Sequence, residues 1–318
     1  MADDENQTSI ARLQNLSVLV TMGRPVVDIT ISVEDIPLAG QKIIAQSVNA
    51  QAGGVDGNFA ASMAWLGAAV TAVGSDSSGP LAHVDRVSLE QAGVKLKLDQ
   101  SSSGPETMCY VFVTSEGQRA VVVSYPHDPD RVALGLASSL QAVADRTWDL
   151  GYLGVLRQHH KGLLSLIRSK VGLLATTLED SDWPGDWLEE QAGEIDLVFC
   201  ADETFAAHSD VLRRWQKDHT WDLVVTEGAR GSWMLGGRGD LWREPAATLD
   251  GPVVDTTGAG DAFASAFCAG RLLGLTGSSL LRLAGWYAGC KVQRAGPRSF
   301  PSVGDFISRI SEFSEKCA

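Results

Sequence analysis

A glycine-rich turn that ends in a carboxylate, D-T-T-G-A-G-D at residues 255–261, has the residue types and spacing of a chemical site. Two valines before it predict the end of a strand, and the small apolar residues after it predict a helix that Asp261 begins. A helix start has unpaired N–H groups and partial positive charge, so it binds anions, and glycine lets a phosphate approach the backbone. A carboxylate beside such a site is unfavourable, because it repels the anion. Its presence is explained if it accepts the proton of a hydroxyl that attacks the phosphorus. The stretch therefore indicates phosphoryl transfer, the alternative being a turn in which Asp261 only caps a helix.

The composition is that of an ordinary globular protein and excludes several classes of function. The 318 residues allow one large domain or two smaller ones, and 44% of them are hydrophobic. A net charge of -13 argues against nucleic-acid binding, which needs clustered lysine and arginine. No apolar run reaches the roughly 20 residues of a membrane span, and the acidic first residues do not resemble a secretory signal. Five scattered cysteines without a C-x-x-C pair favour a reduced, cytoplasmic protein.

The first part of the chain predicts a leader and a small separate sheet. Residues 1–14 are typical of a disordered leader, and a single domain is expected over 15–318. Alternating polar and apolar residues predict half-exposed strands near 28–48, the second of them at 42–48, and a hairpin near 106–125. We expect these strands to form a lid over the main core.

The main core is predicted from an alternation of helices and short apolar strands. A buried strand is expected at 16–22, and further strands recur between helical patterns near 150–153, 172–176, 197–199 and 223–226. Such alternation is typical of a mostly parallel sheet with helices on both faces. The sequence therefore predicts the α/β class.

Two other stretches carry candidate binding residues. Gly53, Gly54 and Asn58 lead into another predicted helix, and T-E-G-A-R-G at 226–231 lies between two predicted strands. Asp28 follows the first strand, and a carboxylate can accept hydrogen bonds from two neighbouring hydroxyls. Taken singly, each feature has a structural explanation, since asparagine caps helices and glycine makes tight turns.

Together and in this order, the three stretches resemble the signatures of the ribokinase-like carbohydrate kinases, the PfkB family, over nearly all of the chain after residue 14. The resemblance implies a three-layer α/β/α sandwich with a mostly parallel central sheet and a small β-sheet lid. It also implies ATP-dependent phosphorylation of a sugar hydroxyl, with ATP and Mg²⁺ as cofactors and a monovalent cation left open. Asp261 would be the general base, and Gly258, Ala259 and Gly260 would form the anion hole.

The same resemblance assigns residues to the sugar and to the nucleotide. Asp28, Gly53, Gly54 and Asn58 would bind the sugar, although Asp56 stands where the family pattern prefers a small residue. The residues assigned to the nucleotide phosphates are Thr226, Gly228, Gly231 and Thr256.

The family's metal motif, N-x-x-E, has no full counterpart here. The corresponding strand end is F-C-A-D-E-T at 199–204 and lacks the asparagine. The resemblance therefore implies that Glu203, or else Asp202, acts on magnesium through water, because Mg²⁺ keeps several of its waters. A solvated acidic turn is the alternative.

Two cations bear on the identity of the sugar. Lys42 lies in a predicted lid strand, and Arg157 follows the strand near 150–153. If both face the substrate, the sugar carries an anionic group. Within the family the sequence is most similar to bacterial kinases of 6-deoxy-6-sulfofructose, which have a lysine and an arginine at comparable places. His159 and His160 predict a surface pair or a substrate contact rather than a metal site, because no third ligand is near.

Several alternative functions remain open at this stage. A kinase of another sugar, a sugar acid or a nucleoside would share the fold, whereas a non-catalytic sugar sensor would be expected to lack Asp261. A nicotinamide-dependent oxidoreductase is excluded, because G-R-P-V at 23–26 does not supply the G-x-G-x-x-G fingerprint. The resemblance also implies a homodimer that pairs through the lid, with a sugar as the small-molecule partner.

Overall fold

Two β-sheets of different size organise the chain. The computed structural model describes residues 2–116, 119–125, 128–179, 183, 185 and 187–315. The described strands are β1 (Ser17–Met22), β2 (Val26–Val33), β3 (Ser47–Ala52), β4 (Ala69–Ser77), β5 (Lys95–Gly104), β6 (Thr107–Thr114), β7 (Arg119–Ser124), β8 (Trp148–Val155), β9 (Val171–Leu178), β10 (Leu197–Ala201), β11 (Asp222–Thr226), β12 (Ser232–Leu235) and β13 (Leu241–Glu244).

The larger sheet has nine strands in the order β13-β12-β11-β10-β9-β8-β1-β4-β5. The strands from β11 to β5 in this order are parallel, and β12 and β13 add an antiparallel edge. Side chains of β1 alternate between the two faces, with Val18 and Val20 in one hydrophobic cluster and Leu19 in the other. The sheet is therefore buried on both faces, as parallel sheets are.

Helices cover both faces of this sheet. The described α-helices are α1 (Ala2–Asn15), α2 (Val55–Trp65), α3 (Ala82–Gln91), α4 (Pro129–Gln141), α5 (Leu164–Arg168), α6 (Trp187–Gln191), α7 (Asp202–His219), α8 (Ala259–Leu272), α9 (Gly277–Val292) and α10 (Val303–Glu315). Helices α2, α8, α9 and α10 supply apolar residues to one cluster, whereas α4, α5, α6 and α7 supply the other. Within the described residues, no helix is both long and apolar enough to cross a membrane.

The smaller sheet has four strands in the order β3-β2-β6-β7, with β2 and β6 parallel. Its second strand begins at Ser47 and not at the predicted residue 42. The N–H of Gln41 donates to the carbonyl of Leu38 at 3.0 Å, and Gly40 has φ 83°, so a turn occupies this stretch. Lys42 therefore lies in a loop rather than in a lid strand.

The leader expected to be disordered is helical in the structure. Helix α1 covers residues 2–15, and it packs against α10. Ile10 and Leu13 lie three residues apart on one face of α1, where Leu13 is fully buried in the core cluster. The prediction was wrong because the average composition of residues 1–14 is polar, although one narrow face of the helix is apolar.

Candidate active site

A cavity of about 620 Å³ lies between the small sheet and the carboxyl ends of the parallel strands. Asp28 and Cys109 line it from the small sheet, and Arg157 and Glu179 line it from the ends of β8 and β9. The starts of α2 and α8 complete the wall. Carboxyl ends of parallel strands form the usual ligand crevice of such folds, and here the small sheet covers it.

Asp261 lies in the first turn of α8 and lines the cavity. The side-chain amide of Asn58 donates to its Oδ2 at 2.8 Å. Burial among protein atoms, helped by nearby carboxylates, raises the pKa of Asp261 to about 7, although the hydrogen bond from Asn58 opposes the rise. A carboxylate with this pKa is suited to accept a proton near neutral pH.

The residues of the predicted anion hole form the turn that starts α8. Gly258 has φ 76°, and a β-carbon there would come within 2.7 Å of the Pro297 carbonyl oxygen. A β-carbon at Gly260 would meet nothing within 4 Å, so this position is open. The N–H of Ala259 donates to the Thr256 carbonyl at 3.2 Å and belongs to the turn itself. The turn therefore lies at a helix start, where anions bind, beside the carboxylate.

Asp28 faces the Gly53-Gly54 pair, and this proximity explains both glycines. A β-carbon at Gly53 would collide with the Asp28 carboxylate. Gly54 has φ 80°, and a β-carbon there would come within 2.6 Å of Val26. Burial raises the pKa of Asp28 to about 6, although the charge on Arg298 lowers it.

A buried ion pair that the sequence analysis missed supports this wall. Nη2 of Arg298 lies 2.5 Å from Oδ1 of Asp85, and the two side chains are 9% and 0% exposed. The same guanidinium donates to the side-chain oxygen of Asn58 at 3.1 Å and to the main-chain oxygen of Gly53 at 2.9 Å. Because its oxygen is thus occupied, Asn58 must present its NH₂ group to Asp261. Arg298 is 240 residues from Asn58, so no local motif could indicate the contact.

The structure brings only one of the two predicted substrate cations to the described cavity lining. Arg157 lines the cavity, lies 4.6 Å from the centre of the Tyr125 ring and donates to its hydroxyl at 2.6 Å. Lys42 is exposed and is absent from the described lining, so this lining does not support its assignment to the substrate, which stays a prediction. Arg24, which the sequence analysis missed, lines the cavity and donates to the Ser102 carbonyl at 3.1 Å.

Two carboxylates that the sequence did not assign also line the cavity, Asp56 and Glu179. Burial raises the pKa of Asp56 to about 7, against the charge on Arg157, which opposes the rise. Among the residues that the structure describes, no hydrogen-bond partner reaches its Oδ1. The departure of Asp56 from the small residue of the family pattern was the signal that could have identified it.

The two adjacent histidines are buried, so they do not form a surface pair. The N–H of Arg157 donates to Nδ1 of His160 at 3.2 Å, so Nε2 carries the proton and donates to the Thr21 hydroxyl at 3.1 Å. His159 lines the cavity, which is the position that the predicted contact with the substrate requires. Over the described part of the chain, no group of three metal-binding side chains is found.

The predicted nucleotide residues lie in two turns outside the described cavity lining. Thr226 ends β11, and Gly228 and Gly231 have φ 56° and 107° in the turn that follows. A β-carbon at Gly231 would collide with the main chain at Glu244, so glycine is required there. Thr256 is exposed and precedes the anion-hole turn.

The predicted magnesium residues lie at the start of α7, and their action on magnesium through water stays a prediction. Glu203 is exposed in the first turn of α7 and is absent from the lining that the described residues form. Asp202 forms an ion pair with Arg230. Because that carboxylate already has a cationic partner, we assign no step of the reaction to a metal ion held at this position.

The fold and this site define a ribokinase-like α/β carbohydrate kinase. The model of the pfkB family carbohydrate kinases matches residues 17–146 and 191–303, and the chain belongs to this family. The predicted family, fold class and enzyme class are thereby confirmed. The sulfofructose subfamily stays a prediction.

Similar proteins support the same conclusion. The ATP-dependent ribose-1-phosphate kinase of Halopiger xanaduensis is 26% identical, over 90% of this chain and 95% of that protein. Ribokinase from Giardia lamblia has a TM-score of 0.74 at 16% identity, covering 94% of this chain and 99% of its own. Arabidopsis thaliana ribokinase complexed with ribose and ATP has a TM-score of 0.67 at 20% identity, with 93% and 98% covered. The two solved structures show the shared fold.

Proposed function

We propose that the protein transfers a phosphoryl group from ATP to a sugar hydroxyl, with Asp261 as the general base. The observation that carries this proposal is a carboxylate with a pKa of about 7 at the start of α8, in the same cavity as Asp28 and Asn58. The relative from Halopiger xanaduensis is an ATP-dependent kinase, and the Arabidopsis ribokinase was solved with ATP bound. Both support ATP as the donor of the phosphoryl group.

Each residue has a defined task in this mechanism. Asp28 and Asn58 bind sugar hydroxyls beneath the small sheet, which excludes water that would compete as acceptor. Asp261 accepts the proton of the attacking hydroxyl, and the 258–260 turn stabilises the negative charge on the transferred group. ATP supplies the phosphoryl group from a position along the turns at Gly228 and Gly258.

The proposal is tested by ATP consumption over a panel of acceptors. The panel contains ribose, ribose 1-phosphate, fructose phosphates, sulfofructose, deoxygluconate and nucleosides. Asp261→Asn should lose about 10²–10⁴ of the rate on the best acceptor, whereas Asp240→Asn, in the exposed turn between β12 and β13, should keep it. Full activity of Asp261→Asn would refute the assignment of the base, and no turnover by the wild type on any acceptor would favour a sugar sensor.

We further propose that the sugar carries an anionic group, 6-deoxy-6-sulfofructose being the example that the sequence resemblance implies. Arg157 and Arg24 support this, because both line the cavity. The relative named for ribose 1-phosphate also acts on a sugar with an anionic group. Lys42 is exposed in a loop and adds no support to this proposal. Neutral sugars and nucleosides are the competing substrates.

Substitution of Arg157 separates these substrates. Arg157→Ala should raise KM for anionic acceptors and leave KM for neutral acceptors nearly unchanged, and Arg157→Lys should recover part of the loss. An equal effect on both classes would show that Arg157 acts through Tyr125 on the cavity wall and not on a substrate anion.

We also propose a homodimer that forms through the small sheet. Its edge strands β3 and β7 expose Val48 (64%) and Val122 (57%), and such edges pair readily with another strand. Light scattering should give twice the chain mass for the wild type and a single chain mass for Val48→Lys. A monomeric wild type would refute this proposal without affecting the kinase assignment.

A further inference from the structure

A lysine is fully buried directly behind the anion-hole turn. Lys291, in the last turn of α9, is 0% exposed, and its Nζ donates to the main-chain oxygen of Asp255 at 2.8 Å. Lysine is almost never fully buried unless it is paired, because removal of its charge from water is costly. The proposed phosphoryl transfer does not involve this side chain.

The loop held by this ammonium leads into the anion-hole turn. The Asp255 carboxylate accepts the N–H groups of Thr257 at 2.9 Å and Gly296 at 3.0 Å. The N–H groups of Val254 and Asp255 both donate to the Val292 carbonyl, at 2.8 and 3.0 Å. The loop is therefore fixed to the end of α9 on one side and to the Gly296 turn on the other.

The charge on Lys291 acts on the neighbouring carboxylate of Asp255. Burial alone would raise the pKa of Asp255, but hydrogen bonds from Thr257 and Gly296 and the charge on Lys291 outweigh it, and the pKa falls below its ordinary value. Such a pair attracts more strongly in the interior than in water. The carbonyl end of α9 adds partial negative charge beside the ammonium.

We propose that Lys291 is a positioning residue, whose ammonium acts beneath the anion-hole turn as a built-in substitute for a monovalent metal ion. Such an ion would bind carbonyl and carboxylate oxygens, but the Asp255 carbonyl already accepts a hydrogen bond from Lys291. The site therefore does not fit the monovalent cation that the sequence left open. The catalytic consequence rests on the proposed phosphoryl transfer, because the ammonium holds the 255–258 loop in the shape that receives the phosphoryl group.

The kinetic test compares variants of Lys291 in buffers with different monovalent cations. The wild type should have the same kcat with tetramethylammonium as with potassium or ammonium chloride. Lys291→Ala should lose roughly 10²-fold in kcat with little change in the sugar KM, and ammonium or potassium should recover much of the loss. Lys170→Met is the matched control, because Lys170 also donates to a main-chain oxygen, that of Ala144, away from the described cavity lining.

A second measurement needs neither substrate nor activity. Ammonium chloride should raise the melting temperature of Lys291→Ala more than tetramethylammonium chloride does, and this difference should be absent in the wild type. If Lys291→Ala does not fold, Lys291→Arg and Lys291→Met replace it, and the proposal requires the charged variant to keep more kcat than the apolar one.

Three outcomes would overturn the proposal. They are a wild type that needs potassium or ammonium for activity, a Lys291→Met variant with full kcat, and a folded Lys291→Ala variant that neither cation restores in kcat or in melting. A wild type that phosphorylates no acceptor would instead refute the proposed function. The melting experiment would still decide whether the ammonium of Lys291 occupies a cation site.

Discussion

Replacement of Asp261 by asparagine should remove catalysis and at the same time stabilise the protein at neutral pH. Asparagine has the same shape, and its side-chain oxygen can still accept the hydrogen bond that Asn58 donates at 2.8 Å. The substitution therefore removes the charge with little change in packing. Wild-type stability should suffer because burial disfavours the ionised carboxylate.

The size of this effect follows from the pKa of Asp261. In the unfolded chain the carboxyl has its ordinary pKa of 3.8, and in the native protein burial raises the pKa to about 7. That difference corresponds to at most about 4 kcal/mol of unfolding free energy. Because Asp261 borders an open cavity, water screens part of the effect, and we expect about 1–2 kcal/mol.

The pKa of Asp261 also determines how its contribution to stability changes with pH. Below pH 4 the carboxyl is protonated in both states and costs the native state nothing. As the pH rises towards 7, the unfolded chain loses this proton while the native chain keeps it, so this group's contribution to wild-type stability falls and then levels off. Asp261→Asn does not titrate, so its advantage over the wild type should grow between pH 4 and 7.

Urea unfolding at pH 5 and pH 8 measures this advantage, with Asp240→Asn as the exposed control. The free energy of unfolding of Asp261→Asn should exceed that of the wild type by more at pH 8 than at pH 5. A variant that is less stable than the wild type at pH 8, or an advantage that shrinks as the pH rises, would refute the burial of this carboxylate as the cause of its pKa.

Three further predictions concern the surroundings of the site. Gly258→Ala should destabilise the protein by about 1–3 kcal/mol and reduce kcat, because φ is 76° there; thermal unfolding and kinetics check this, and a neutral result would contradict the strained turn. Asp56→Asn should move the acid limb of the kcat/KM profile to lower pH, because the charge on Asp56 raises the pKa of Asp261; an unmoved limb would show that the two groups do not interact. Arg298→Leu should lower the free energy of unfolding by about 3–5 kcal/mol, because it leaves the buried Asp85 without its cation. Denaturant titration measures this loss. Adding Asp85→Asn to the Arg298→Leu variant should restore part of it.

The anion-hole turn and its carboxylate could be predicted because their information is local. Gly258 needs a positive φ, and Asp261 follows it at the start of a helix, and both properties belong to consecutive residues. The parallel sheet was predictable for a similar reason, since strands buried on both faces are continuous apolar runs. The leader was mispredicted because the burial of Leu13 depends on packing against α10, which is distant in sequence.

The positions of the charged side chains were decided by the tertiary structure. Lys42 and Arg157 looked equivalent as candidate substrate cations, yet a turn at Gly40 moves one of them into an exposed loop. Arg298 reaches Asp85 across 213 residues, and Lys291 reaches the Asp255 carbonyl across 36. A long charged side chain can lie in water or pair in the interior, and its residue type does not distinguish these outcomes.

The sequence by itself determined the proposed reacting centre, because the helix start, the glycines and the carboxylate of residues 255–261 are adjacent in the chain. Only the tertiary structure decided what surrounds that centre. It brought Asn58 into contact with Asp261, Arg298 into contact with Asn58, and Lys291 into contact with the Asp255 carbonyl. The physical reason is that the chemistry requires a local backbone shape, whereas the pKa of Asp261 and the rigidity of the turn depend on groups that only folding brings together.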